Sequence, residues 1–255
     1  MIHFYKYQGA GNDFVLIDNR QQQLHLNTEQ IQFLCNRKMG IGADGLILIR
    51  RHSAVDFEMI YFNADGFRGS MCGNGGRCAV HFAHFLGIFQ GQTRFMAYDG
   101  LHEASINEGV VALGMADVFE VKALAEAYFL NTGSPHHVVE VKDLANYDVF
   151  GEGKKIRYAS DYAPKGTNVN FIAFDETHLH IRTYERGVED ETLSCGTGVT
   201  AAAITAYLRG QKPPIHVISR GGNLTVDFLE SNGNFTHIVL SGKAEQVFEG
   251  TYQVK

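Results

Sequence analysis

Two short stretches of the chain share a pattern that could do chemistry. Residues 71–82 read MCGNGGRCAVHF and residues 194–204 read SCGTGVTAAAI. Each places a cysteine before Gly-x-Gly and then runs into apolar residues. In the first, Ala79, Phe82, Ala83 and Leu86 fall on one helical stripe. Cys72 and Cys195 are therefore expected just ahead of helix N-termini, where outward N–H groups and the helix dipole favour a thiolate. The amides of Gly73 and Asn74, and of Gly196 and Thr197, suit a carboxylate. A single such cysteine would more often be a small buried residue. Two in the same context point to a pair of acid–base groups. One thiolate can remove an α-proton beside a held carboxylate while the other thiol returns a proton to the opposite face, inverting the stereocentre. Double capture of the carboxylate would stabilise the charge that develops as the proton leaves. No lysine in a pyridoxal-type setting stands out, so the helix dipoles must replace a cofactor's electron sink.

The two cysteines lie 123 residues apart, and other pieces recur at 122–124. IYFNADG (60–66) lies over RTYERGV (182–188), DGLILIR (44–50) over NVNFIAF (168–174), and QGAGNDFVLI (8–17) over TGSPHHVVEV (132–141). Four anchors in one order at one offset define an internal repeat. Shared strand composition accounts for the apolar runs but not for the glycines and cysteines.

These anchors must be carried by strands. Each half reads as a Gly-rich turn leading into a strand (14–18; 138–141). Two more strands follow (45–50 and 57–62; 169–174 and 178–184), then the Cys–Gly helix start. Short closing strands end each half (93–98, 102–107 and 110–115; 215–219, 223–229 and 236–242), several with clear alternation. The helix TGVTAAAITAYL is apolar or small nearly all round, so it is expected to be buried, with a curved sheet wrapped around it. The fold class is α+β: two pseudo-symmetric domains, each a curved, mostly antiparallel sheet or barrel around one central helix, with the active site in the cleft between them. The domains are expected at 1–115 and 116–255, joined near residues 115–121, with the last strand able to pair back onto the first domain. Residues 122–126 read as a solvated linker.

Composition narrows the function. The net charge is −6 with no basic block, which argues against nucleic acid as a partner. No apolar stretch is long enough to span a membrane, and the N-terminus has no signal-peptide pattern, so a cytoplasmic enzyme is expected. The four cysteines show no metal-ligand spacing. Cys35 and Cys78 read as core thiols, and His81 and His84, on an apolar helix, as satisfied core residues.

The motifs GAGNDF, GIGADG, FNADG, MCGNGGRC, SPHH, YERG and SCGTG, in this order, resemble the diaminopimelate epimerase family along nearly the whole chain. The resemblance implies conversion of L,L- to meso-diaminopimelate, on the route to lysine and peptidoglycan, with no cofactor and no metal. It implies that Cys72 and Cys195 are the catalytic thiols, with Cys195 the proton acceptor in the L,L-to-meso direction. It makes His136 and Glu185 the groups that tune the thiols. The reacting carboxylate would be held by Gly73, Asn74, Gly196 and Thr197. Asn12, Asn63, Asn168, Glu185 and Arg186 would hold the ends of this small-molecule substrate. Arg186 can fork onto the distal carboxylate, and Glu185 can receive an ammonium. Asn12 matches His136 across the repeat, and Asn63 matches Glu185, so the charged members lie in the second half. The family also allows a homodimer, on which the sequence is silent.

Two positions depart from the family pattern: Gly45, where some members have Gln, and Ser134, where many have Asn. Two other functions compete. A racemase or dehydratase of a proline-like imino acid would leave Glu185 and Arg186 without a partner. A binding protein that had lost turnover would need neither thiol.

Overall fold

The computed structural model describes residues 1–69 and 71–253. It divides by contacts into two units, Met1–Leu113 together with the chain from Gly242 on, and Gly114–Ser241.

In the first unit, β1 (Ile2–Gly9) and β2 (Asn12–Asp18) form a hairpin. Its two-residue loop, Ala10–Gly11, has φ of 50° and 86°, the left-handed pair that matches strand twist. β2 lies parallel to β3 (Gly45–Arg50). Parallel neighbours need a crossover, and α1 (Thr28–Cys35) is positioned along it, started by an Asn27–Gln30 capping box. β3 is antiparallel to β4 (Phe57–Asn63). β4 is parallel to β5 (Gln92–Ala97), and their crossover is α2 (Gly73–Phe85). β6 (Gly100–Asn107) and β7 (Val110–Gly114) complete an antiparallel meander.

The second unit repeats this ladder. β8 (Val121–Ala123), β9 (Ala127–Asn131) and β10 (Pro135–Glu140) pair antiparallel. β10 is parallel to β11 (Asn168–Phe174), with α3 (Val149–Arg157) on the crossover. β11 is antiparallel to β12 (Leu179–Glu185), which carries the short β13 (Asp190–Thr192). α4 (Gly196–Leu208) then crosses to β14 (Ile215–Ser219), parallel to β12. β15 (Gly222–Ser231) pairs with β14, and β16 (Asn234–Lys243) follows. β17 (Glu245–Tyr252) pairs antiparallel with β1, so the C-terminal strand belongs to the first unit.

Each unit holds the one central helix expected, and a second α-helix lies on its other crossover, because each parallel pair needs its own. Only α2 and α4 are central. α2 packs on β1–β4 and β6, and α4 on β9–β12, β14 and β15. From Gly196 to Ala206, every α4 residue except Thr197 is buried. Its Gly, Ala and Thr side chains let strands approach from several sides. Residues 121–123, expected in a linker, form the edge strand β8 through its pairing with β9. Only three residues long, with Lys122 and Ala123 exposed, this edge strand shows no alternation to read. His84 also differs from expectation: it is exposed, because it lies in the last turn of α2, past the strands that cover the helix.

This topology gathers the chemistry. A helix that follows a strand and crosses to a parallel neighbour starts near the C-terminal end of that strand. Asn63 ends β4 before α2, and Glu185 ends β12 before α4. The antiparallel neighbour starts at that same end, with Gly45 opposite Asn63. The next parallel strand brings Asn12 there in the first unit, and His136, beside Asn168, in the second.

Candidate active site

Cys72 is the N-cap of α2 and Cys195 the N-cap of α4, both in extended backbone (φ −99°, ψ 132°; φ −121°, ψ 113°). Neither thiol caps its own helix. The first helical bonds run from Gly76 N–H to Cys72 O (2.7 Å) and from Val199 N–H to Cys195 O (2.8 Å). The preceding amides, Gly73 and Asn74 in α2 and Gly196 and Thr197 in α4, belong to the first turn, whose N–H groups point outward along the axis. The other two cysteines are different in kind. Burial pushes the Cys78 thiol up to about 12 and the Cys35 thiol up to about 11, so both stay protonated near neutrality.

In the first unit, Asn74 Nδ2 donates to Asn12 Oδ1, and Asn12 Nδ2 donates to Asp44 Oδ2 at 2.9 Å. Asp44 also accepts from Arg37 at 2.7 Å. Arg37 forks onto Asp13 at 2.6 and 2.9 Å, and buried Lys6 pairs with Asp13 at 2.7 Å. Burial alone would raise the Asp13 carboxyl; the hydrogen bonds from Arg37 and Lys6 outweigh it and hold the group well below the usual carboxylate range. Arg77, fully buried, donates to Asn74 Oδ1 at 2.8 Å and to Gly73 O at 3.2 Å. Asn63 stands half-buried at the end of β4.

In the second unit, His136 is fully buried. Its Nδ1 is 3.0 Å from Asn170 Oδ1 and its Nε2 is 2.9 Å from Thr197 Oγ1. Burial, helped by the nearby Arg186 charge and opposed by Asn170, lowers its pKa to about 4, so the ring is neutral at pH 7. Thr197 Oγ1 lies 3.4 Å from Cys195 Sγ. Thr132 Oγ1 donates to Thr197 O at 2.8 Å and ties the turn before His136 to the first turn of α4. Asn168 takes the Arg186 amide on its Oδ1 (2.9 Å) and donates through Nδ2 to Ser134 Oγ (2.9 Å) and Pro135 O (3.0 Å). Arg186 Nη2 reaches Ser134 Oγ at 3.4 Å. Glu185, half-buried, ends β12 beside them.

The expected residues therefore assemble into two sets. Cys72, Gly73, Asn74, Asn12 and Asn63 lie at one end of the first unit's ladder. Cys195, Gly196, Thr197, His136, Asn168, Glu185 and Arg186 lie at the equivalent end of the second. A groove of about 570 Å³ in the second unit, lined by Phe119, Phe129 and Tyr162 among others, contains none of them. The departure at Gly45 has a steric counterpart: a Cβ there would meet the Tyr61 ring at 2.5 Å. Tyr61 fills the space a longer side chain would need. His81 is corrected: its Nδ1 is buried with no hydrogen-bond partner, so it is not a satisfied core histidine, since it stacks edge-on against Tyr7 rather than meeting a polar group.

Sequence reasoning missed Asp13, Asp44, Arg77 and Asn170. Three left a trace: Asp13 and Asp44 are the aspartates of GAGNDF and GIGADG, and Asn168 with Asn170 puts two amides on one face of the apolar strand NVNFIAF. Among the described residues, no cluster of three His, Cys, Asp or Glu could hold a metal, and no helix is long and apolar enough to cross a membrane.

The fold is shared with solved structures of low sequence identity. A PhzF-family phenazine biosynthesis protein from Bacillus anthracis superposes with TM-score 0.74 at 17% identity, covering 98% of this chain and 99% of that one. A probable proline racemase from Agrobacterium radiobacter gives 0.68 at 16%, covering 100% and 94%. The family model described as diaminopimelate epimerase matches residues 4–112 and 128–247. The diaminopimelate epimerase of Flavobacterium psychrophilum is 53% identical over 97% of this chain and 98% of its own length. That of Chlorobaculum tepidum is 45% identical over 95% and 98%. The chain belongs to the diaminopimelate epimerase family.

Proposed function

We propose that the protein interconverts L,L- and meso-diaminopimelate by two-base proton transfer between Cys72 and Cys195, in the cytoplasm, with neither metal nor organic cofactor. One observation carries the reading: in a chain of this family, each cysteine stands at the N-cap position of the central helix of one copy of a repeated ladder.

In the L,L-to-meso direction the Cys195 thiolate takes the α-proton and the Cys72 thiol delivers one to the opposite face. This requires both sulfurs to reach one carbon. The first-turn amides of the two helices donate to the α-carboxylate, whose charge grows as the proton leaves. Arg186 takes the distal carboxylate and Glu185 the distal ammonium, with Asn63 and Asn168 completing the grip. An imino-acid substrate would leave that charged pair unused, so the family's dicarboxylate diamine is preferred to a proline-like one.

The His136 chain suits Cys195 to its double role. With Nδ1–H bonded to Asn170 Oδ1, His136 Nε2 accepts the Thr197 hydroxyl, whose oxygen can accept the Cys195 S–H. When Cys195 is a thiolate, the hydroxyl can turn to donate to sulfur. The ring can then take its other tautomer, with Asn170 Nδ2, 3.4 Å from Nδ1, as donor. A neutral histidine thus serves both states of the thiol without itself taking the proton. The test is to supply metal-stripped, pyridoxal-free protein with L,L-diaminopimelate. Appearance of the meso isomer is expected, and activity only on adding a cofactor contradicts the reading.

A further inference from the structure

The α2 helix contains a group that neither the repeat nor the proposed chemistry accounts for. Arg77 is 0% exposed. No carboxylate of the described residues pairs with it, and its Nε has no hydrogen-bond partner. A buried, unpaired guanidinium is costly to keep, so this one invites a reason.

Its neighbours supply one. Arginine can only donate and a carboxylate can only accept. The chain Arg77–Asn74–Asn12–Asp44 therefore has one direction. Arg77 Nη2 holds Asn74 Oδ1, which turns Asn74 Nδ2 to Asn12 Oδ1 and Asn12 Nδ2 to Asp44 Oδ2. The second donor, Nη1, takes the Gly73 carbonyl. The charge thus sits under the two residues that follow Cys72. The repeat sharpens the point. Arg77 corresponds to Thr200, whose hydroxyl donates to Gly196 O at 3.1 Å. The contact is kept in the second unit, but the charge is not. Asn12 corresponds to His136 and Asn74 to Thr197, so the second unit has a neutral titratable ring where the first has a chain anchored on a fixed cation.

We infer that Arg77 is a positioning residue that acts on Cys72 alone, as a buried counter-charge for its thiolate and as the donor that orients Asn74. The two thiols are then prepared by different means, Cys72 by a permanent charge and Cys195 by the His136–Thr197 chain. The inference rests on the epimerase reading for what Cys72 does, but not for how reactive it is. The other ionisable groups around Arg77 are few. Cys78, on the same helix, is held neutral by burial, and His81 lies one turn on. Asp44 stands at the far end of the chain with Arg37 on it, and Asp13 and Lys6 lie beyond. Asp99, from the β5–β6 turn, accepts the Met71 amide at 3.3 Å and contacts His102. Burial disfavours the Arg77 charge and a thiolate at Cys78 or Cys72 favours it; with Cys78 held neutral, Cys72 is the partner left.

The test measures alkylation of each thiol by iodoacetamide, with peptide mass spectrometry and no substrate present. In the wild type, the Cys72-to-Cys195 rate ratio should rise as the pH is lowered from 8 to 6, a comparison in which accessibility cancels. In Arg77→Gln, which keeps a donor but loses the charge, Cys72 alkylation at pH 7 should fall roughly tenfold or more, while Cys195 stays within about twofold. Arg77→Lys should recover most of the Cys72 rate. In the epimerase assay, Arg77→Gln should lower kcat by a similar factor with a smaller change in KM. A flat wild-type ratio, or equal slowing of both thiols in Arg77→Gln, overturns the inference and leaves Arg77 a packing residue. A wild type that alkylates as expected but does not epimerise diaminopimelate overturns the functional reading instead.

Discussion

Gly198→Ala separates the demands of the helix from those of the site. Gly198 lies in the first turn of α4, and alanine there should gain about 0.5–1 kcal/mol of helix propensity. A Cβ at this position would stand 2.8 Å from Asn170 Oδ1 and 2.9 Å from Nδ2. Asn170 is fully buried, so its amide can only slide. An ordinary contact of about 3.4 Å requires a shift of about 0.6 Å, which would stretch the 3.0 Å bond to His136 Nδ1 to about the limit of hydrogen bonding. Leaving a buried polar group unsatisfied costs about 1–3 kcal/mol. Set against the helix gain, the net loss is about 0–2.5 kcal/mol, or about 0–10 °C in Tm for a chain of this size. Calorimetry gives the sign, and a drop in kcat should accompany it, because Thr197 would lose its fixed partner. A variant that melts above the wild type and turns over equally fast would refute the claim that Gly198 is small for the sake of Asn170 and His136.

Other substitutions divide the remaining claims. Cys72→Ser and Cys195→Ser should each cut turnover severely in a standard epimerase assay, since serine is a far weaker acid, whereas Cys35→Ser and Cys78→Ser should leave the chemistry nearly intact. Arg186→Ala should lower kcat/KM for diaminopimelate by about 1.5–3 kcal/mol, roughly 10- to 150-fold, by removing a charge-assisted contact; an unchanged value would remove Arg186 from the distal end. Asp13→Asn should be less stable than the wild type at pH 7. The Asp13 carboxyl is held low in the folded chain, so its contribution is present above the ordinary carboxylate range and is lost as the pH falls toward the folded value. The stability gap between the two proteins in urea melts should therefore begin to narrow below about pH 4 and keep narrowing as the pH falls further, and a gap that does not narrow there would contradict the assignment.

Much of this was readable from residue order alone, and the gaps have physical causes. The offset of 122–124 residues anticipated a ladder that repeats strand for strand, because glycines and cysteines at forced positions keep their register. α3 was hidden because VFGEGKKIR carries two glycines and little apolar surface. β17 gives no alternation because most of its residues are exposed; its pairing with β1 stands in for the missing pattern. At the site, residues inside motifs were found, and residues that reach them from a distance were not. Asn170 acts on His136 from 34 residues away. Arg77, between glycine and cysteine on an apolar helix, reads as an ordinary basic residue until its burial is known.

The central claim is that two different thiols handle the two faces of one carbon. The most direct measurement is the initial reaction of L,L-diaminopimelate in deuterated water, with product and recovered substrate analysed separately for α-deuterium. With two bases, the meso product should carry solvent deuterium from the first turnovers while the recovered L,L isomer remains protiated. Deuterium entering substrate and product at equal early rates would mean that one base serves both faces, and it would contradict the account.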